Sequence, residues 1–210
     1  IGSWGEGEMI LFIGTFSLIN AAGMVIYFFG INQLPEKIKK GELDLYLTKP
    51  VSPLLRLTFE KINPGSIPLV LMSLCIIGYG IYKSGITLGA GKILAYLGWL
   101  LIMTALHYDM MVLIRCVCFY LVTNARLEQL EDAALELCMK LPGIAFYGIW
   151  RVIFCFLLPY GIMATLPVQS LSGEMGRRLA LQGIIVTAVF TILTSFVWRN
   201  GVRHYNSASS

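Results

Sequence analysis

The sequence predicts an all-α polytopic membrane protein, a helical bundle with about five transmembrane helices, and three observations carry that expectation. Hydrophobic residues make up 57% of the 210-residue chain and charged residues 13%, against about 45–50% and about 25% in soluble domains, and mean hydropathy is +0.73. Four stretches are long and apolar enough for a hydrocarbon core about 30 Å thick, which takes about 20 residues of helix, and a fifth is nearly so. These runs are apolar on every face, without the alternation that barrel strands require.

The first span reads as Met9 to Phe29, with Asn20 its one strongly polar residue; Gly14, Ser17 and Ala21 fall at helical spacing and allow a neighbouring backbone to approach closely. Packing within the chain is favoured there over a dimer contact. The second span, Ile67 to Tyr82, is somewhat short. The third, Ile93 to Val122, exceeds the bilayer and must tilt, break or project from it. Val152 to Leu166 is the short fourth, and Leu179 to Trp198 the last. Ile1 is no initiator Met, and no basic segment with a cleavage site precedes the first span, so the start reads as a truncation of a longer chain.

Lysine and arginine in the loops set the orientation, because they are retained on the cytoplasmic side. With the first span running inward, Lys37, Lys39, Lys40, Lys49, Arg56, Lys61, Arg126, Lys140, Arg199 and Arg203 lie inside, while Lys83, Lys92, Arg177 and Arg178 lie outside. This places Ile1 outside and Ser210 in the cytoplasm. The net charge of +4 then reports topology, and nucleic-acid binding is not needed to explain it.

Several motifs carry no chemistry. Gly89-Ala90-Gly91-Lys92 lacks both the first glycine and the metal-binding hydroxyl of a phosphate loop, since Ile86 and Ile93 stand there. The five cysteines lie mostly within or beside apolar runs and suit packing better than zinc or redox work. His107 and Asp109 are two residues apart, so on a helix they diverge by about 200°, and no catalytic set accompanies them. More informative are Asp109, Arg115 and Arg151, ionisable groups in or beside apolar runs, each costing about 2.5–3.5 kcal/mol at a helix centre. They are candidates for a polar translocation path. The competing reading is an ion pair, or arginines reaching to the interface.

The most distinctive soluble segment is 30–64. Pro35 and Glu36 suit a helix start, Lys39 and Lys40 a helix end, and Gly41 a left-handed stop, so a short helix is predicted with Leu34 and Ile38 on one side. Beyond it Glu42 and Asp44 interrupt a basic loop, and Pro50 and Pro53 stiffen its return. Anionic lipid alone would not favour those carboxylates; a protein partner suits the mixture. The stretch Thr123 to Leu141, rich in Glu128, Glu131, Asp132 and Glu136, reads as a second contact or as an amphipathic helix on the membrane surface.

At these residues the chain resembles the ABC type-two permeases, in particular the small bacterial six-span subunits. The resemblance rests on Gly41-Glu42-Leu43-Asp44 with Leu47-Thr48-Lys49-Pro50, on Trp4, on Pro159 and Pro167 around the fourth span, and on the tail Tyr205-Asn206-Ser207-Ala208-Ser209-Ser210. It covers essentially the whole chain, except that the family's amino-terminal interfacial helix and first span are lacking, so six spans are expected in the intact protein. It implies one transmembrane permease domain over 1–210, with a cytoplasmic coupling loop at 30–64, external segments at 83–92 and 167–178, and a cytoplasmic tail at 199–210.

It also implies the membrane half of an ATP-driven exporter in the bacterial cytoplasmic membrane. The partners would be a second permease subunit and separate cytoplasmic ATP-binding-cassette subunits. ATP and Mg²⁺ would lie on those subunits, with no cofactor on this chain and no enzymatic activity of its own. Leu34, Glu36, Lys37, Lys40, Gly41, Glu42 and Asp44 are the coupling residues so implied. The substrate class is open among amphiphilic drug-like compounds, lipids and peptides. A non-transporting scaffold, immunity or sensor subunit is the alternative, told apart by an adjacent gene for an ATPase.

Overall fold

The computed structural model describes residues 4–121 and 125–205, which form helices and turns. Helix α1, Glu6–Ile26, opens where the Glu8 carboxylate accepts a 2.6 Å hydrogen bond from the Gly5 amide. It ends at Tyr27, and α2 (Phe28–Ile31) follows at once, so the predicted first span is interrupted two residues before Phe29. Three short helices come next: α3 (Leu34–Lys40), α4 (Asp44–Leu47) and α5 (Pro53–Glu60). A turn of 3₁₀ helix at Pro64–Ser66 leads into α6, Ile67–Ser84, which ends on left-handed Gly85. Segment 30–64 is therefore largely helical.

Helices α1 and α6 form the tightest pair and run antiparallel. Gly7 meets the backbone at Ser84, Gly80 meets that of Leu11, and Gly14 meets Ile77. A Cβ on Gly80 would stand 2.5 Å from the Leu11 nitrogen, and one on Gly14 2.9 Å from the Ile77 nitrogen. The small-residue strip thus serves packing within the chain, with Gly7 and Gly80 as members not foreseen.

Helix α7 covers Ala90–Cys116 and tightens to 3₁₀ through Phe119; Val122, the predicted end of this span, lies outside the described residues. Helix α8, Ala125–Lys140, then turns back. Glu131, Ala134 and Cys138 are its buried stripe, and Met139 lines a cavity with Asn20 and Met24 of α1. Its second half therefore packs beside the last turns of α1. Thr123, the predicted start of this stretch, lies outside the described residues.

The fourth span is broken. Helix α9 (Gly148–Val152) and a π turn (Ile153–Leu157) reach Pro159, after which α10 (Tyr160–Met163) and α11 (Thr165–Ser172) leave at a bend of 76°. The segment 167–178, expected to be an external element, is helix as far as Ser172, with Pro167 to Leu171 buried. Pro167 falls in the first turn of α11, where its missing N–H costs little, so this proline marks a helix start. Gly173, at φ 86°, ends the helix. The last helix, α12 (Arg177–His204), lies parallel to α7: Gly183 meets Trp99, Thr191 meets Asp109 and Gly201 meets Phe119. Of the tail, Asn206 to Ser210 lie outside the described residues.

Among the described residues four helices are long and apolar enough to cross a membrane, and five candidates result if the bent pair counts as one. Large apolar side chains stand exposed along α6 (Leu71, Met72, Tyr82) and α12 (Ile185, Ile192, Phe196). On helices of this length such surface suits lipid or a neighbouring span, because a helix satisfies its own backbone groups out of water.

Candidate functional site

Helix α3 is built as the local chemistry dictates. Pro35 sits in the first turn, Glu36 beside it, and Lys37, Lys39 and Lys40 in the last turn, with Gly41 at φ 73° closing the helix. Its inner side is anchored: Leu34 is fully buried, in one cluster with Ile31, Leu43, Leu57 and Met111. Leu34 is therefore an anchor and offers no docking surface.

Lys37 also points inward. Its ammonium donates to the Tyr46 hydroxyl at 2.6 Å, that hydroxyl donates to both Glu60 carboxylate oxygens at 2.7 and 2.6 Å, and Lys37 stands 3.6 Å from Glu60. The Arg56 guanidinium lies over the Tyr46 ring, 4.5 Å from its centroid. Burial pushes the Tyr46 phenol above its ordinary value, and the Glu60 carboxylate pushes the same way. Tyr46 thus ties α3, α4 and α5 into one unit, a role signalled in the sequence by nothing but its place between charged residues. What this unit leaves outward is a charged rim: Glu36 and Lys40, paired at 2.6 Å on the surface, and Glu42. Asp44 is half-buried at the start of α4.

A second centre lies below the platform. Arg115 is buried near the end of α7 and makes an ion pair with buried Glu131 of α8. Its Nε and Nη2 donate to the Asn32 side-chain oxygen at 3.2 and 3.0 Å. The Tyr160 hydroxyl donates to the other Glu131 oxygen at 3.2 Å. Four elements meet here: the link before α3, the end of α7, the middle of α8 and the residue just after Pro159. An ion pair out of water persists only where such extra hydrogen bonds complete it. Glu131 was legible as one of several carboxylates in its stretch, but not as the buried one; its signal is the spacing with Ala134 and Cys138.

The other two ionisable candidates lie elsewhere. The Asp109 carboxylate accepts from Thr191 Oγ1 at 2.5 Å, and its backbone carbonyl accepts from Thr194 Oγ1 at 3.2 Å, which fastens α7 to α12. His107 points away, to Tyr27 at 2.8 Å. Arg151 is exposed at the mouth of a cavity of about 340 Å³ between the broken element and α12, with Gln169 and Gln182. Asp109, Arg115 and Arg151 are not brought together. Among the described residues no three His, Cys, Asp or Glu side chains gather as metal ligands would.

The chain is thus a bundle of candidate spans with a helical platform formed by α3, α4 and α5. A family model described as "ABC-2 family transporter protein" matches residues 1–209. The chain belongs to the ABC-2 transporter family, whose permeases are transport components and generally not catalytic themselves, and it is a multi-pass integral membrane protein. Comparison with the curated proteins and with the solved structures gives no match.

Proposed function

We propose that this chain is the permease subunit of an ATP-driven exporter, worked by a separate ATP-binding-cassette subunit that docks on the α3–α5 platform. Family members generally work with such subunits, and the single observation that carries the reading is the platform itself. It presents Glu36, Lys40 and Glu42 outward while Leu34 and Lys37 hold it from within. Contacts can shift an equilibrium only if they differ between two states of the partner. A rigid unit passes such a difference on, where a loose loop would absorb it.

The path onward runs from α3 through Asn32 to Arg115, from there to Glu131, and through Tyr160 to the break at Pro159. In this reading, movement of α3 bends the broken element and so opens or closes a route for an amphiphilic compound, lipid or peptide. A second permease subunit completes that route. The membrane is the bacterial cytoplasmic one, with the platform and the Ser210 end inside and the Ile1 end outside, as the lysines and arginines direct.

The test is charge reversal on the rim. In the complete transporter, Glu36→Lys with Glu42→Lys should leave insertion and folding intact, since both side chains are exposed, while like charges brought together across an interface cost several kcal/mol. Copurification of the ATPase should fall, or its hydrolysis should stop responding to substrate. Normal transport with the ATPase retained would remove the platform from the coupling role.

A further inference from the structure

The face of the platform away from the charged rim is apolar. Val51, Leu55, Phe59 and Ile62, at helical spacing along and beside α5, are each more than half exposed. Val51, Leu55 and Phe59, with Lys49, Arg56 and Glu60, line a cavity of about 570 Å³. Within it the Glu60 charge is already answered by Lys37 and Tyr46, so Lys49 and Arg56 leave the cavity net positive. Arg56 stacks on Tyr46, and its Nη1 is buried without a hydrogen-bond partner. A buried guanidinium donor left unpaired is expensive, and the Arg56 side chain lines a space large enough for a ligand.

The depth of α5 says what that ligand is. Thr58 on its inner side bonds Tyr108 at 2.7 Å. Tyr108 stands eight residues before Cys116, the end of α7, or about 12 Å along the helix. Gly30 packs directly on the Leu57 carbonyl, and Asn63 donates to the Val25 carbonyl at 2.9 Å. Helix α5 therefore lies alongside the last turns of the spans, and its apolar stripe continues toward the exposed apolar side of α6 at Ile67 and Leu71. At that height an outward apolar face meets acyl chains, and cations at its edge meet headgroups.

We propose that this cavity holds an anionic membrane phospholipid, its phosphate bound by Lys49 and the Arg56 guanidinium and its acyl chains laid along Val51, Leu55 and Phe59. Through the Arg56–Tyr46 stack the lipid braces the unit that carries α3. The site does not depend on which partner docks on the charged rim.

Bromine on acyl chains quenches a nearby indole, so the test places an indole in the stripe by Phe59→Trp. The full chain is reconstituted in phosphatidylcholine vesicles containing phosphatidylglycerol, with either lipid brominated in turn. Emission is read as the difference from the parent protein, whose four tryptophans give the background. The expected result is that brominated phosphatidylglycerol quenches several-fold more effectively than its mole fraction predicts. Lys49→Gln should reduce that preference about fivefold, the factor that about 1 kcal/mol per basic side chain represents. Lys49 is exposed and outside the Tyr46 cluster, so an unchanged thermal midpoint separates this loss from unfolding. Equal quenching by both lipids would reduce the site to ordinary lipid contact and overturn the proposal. Absence of quenching by either would do the same, by showing the face covered with protein.

Discussion

Arg115 and Arg151 stand in comparable apolar surroundings in the sequence, and the fold gives them opposite fates. Arg115 is shut away and receives a carboxylate, an amide oxygen and, through that carboxylate, a tyrosine, from three other elements. Arg151 stays at an open cavity, and no ion pair forms on it among the described residues. The difference teaches where charge is structural in this protein. A guanidinium removed from water must be completed on every side, so Arg115 fixes the mutual placement of four elements, whereas Arg151, exposed to the cavity, needs no such completion.

Removing the partner that does most for Arg115 should break the contrast most severely. Glu131→Ala leaves a buried arginine unpaired, and loss of one member of such a pair costs about 3–5 kcal/mol; a large fall in the thermal midpoint in detergent, or loss of folded protein, is expected. Replacing both members, Arg115→Leu with Glu131→Leu, should recover most of that stability, because apolar residues of similar volume often substitute well for a buried pair. If the pair is part of the coupling path, the recovered protein should bind its ATPase yet fail to transport. Recovered transport at wild-type rate would leave the pair a structural feature only.

Asn32→Ala removes the acceptor for two guanidinium nitrogens and should cost about 1.5–3 kcal/mol, the range for hydrogen bonds to charged groups, read from the same thermal midpoint. Tyr160→Phe removes a single longer bond and should cost about 0.5–1.5 kcal/mol. In a double-mutant cycle these two should couple if the centre acts as one unit; simple additivity would show independent contacts. At the bottom of the series, Arg151→Ala should move stability by no more than about 0.5 kcal/mol, as exposed positions do. A larger loss would mean that Arg151 has a partner in the folded protein and would end the contrast.

The platform shows how far local signals reach. Pro35, Glu36, Lys39, Lys40 and Gly41 carry the start, the stop and the polarity of α3, and the helix runs from Leu34 to Lys40 with its stop at Gly41. The same residues say nothing of direction toward neighbours. Lys37 and Lys40, both in the last turn, were equivalent as coupling candidates, yet one is drawn in by Tyr46 and Glu60 and the other pairs on the surface with Glu36. Tyr46 and Glu60 lie nine and 23 positions beyond Lys37, on helices whose packing no pattern within α3 could specify.

Hydropathy and helix-capping chemistry are properties of short stretches, and by themselves they determined the all-α membrane class, the sites of the main spans and the short helix α3 with its glycine stop. They also bear the family motifs, since Gly41-Glu42-Leu43-Asp44 is read without any fold. Tertiary structure decided what those stretches do to one another: that α1 and α6 close on Gly7, Gly14 and Gly80, that polar α8 enters the bundle, and that Pro167 begins a buried helix. It also decided which of the carboxylates in 123–141 pairs with Arg115. The physical reason is that a charge leaving water is stabilised by whatever groups surround it in space, and those groups come from positions far apart in the chain.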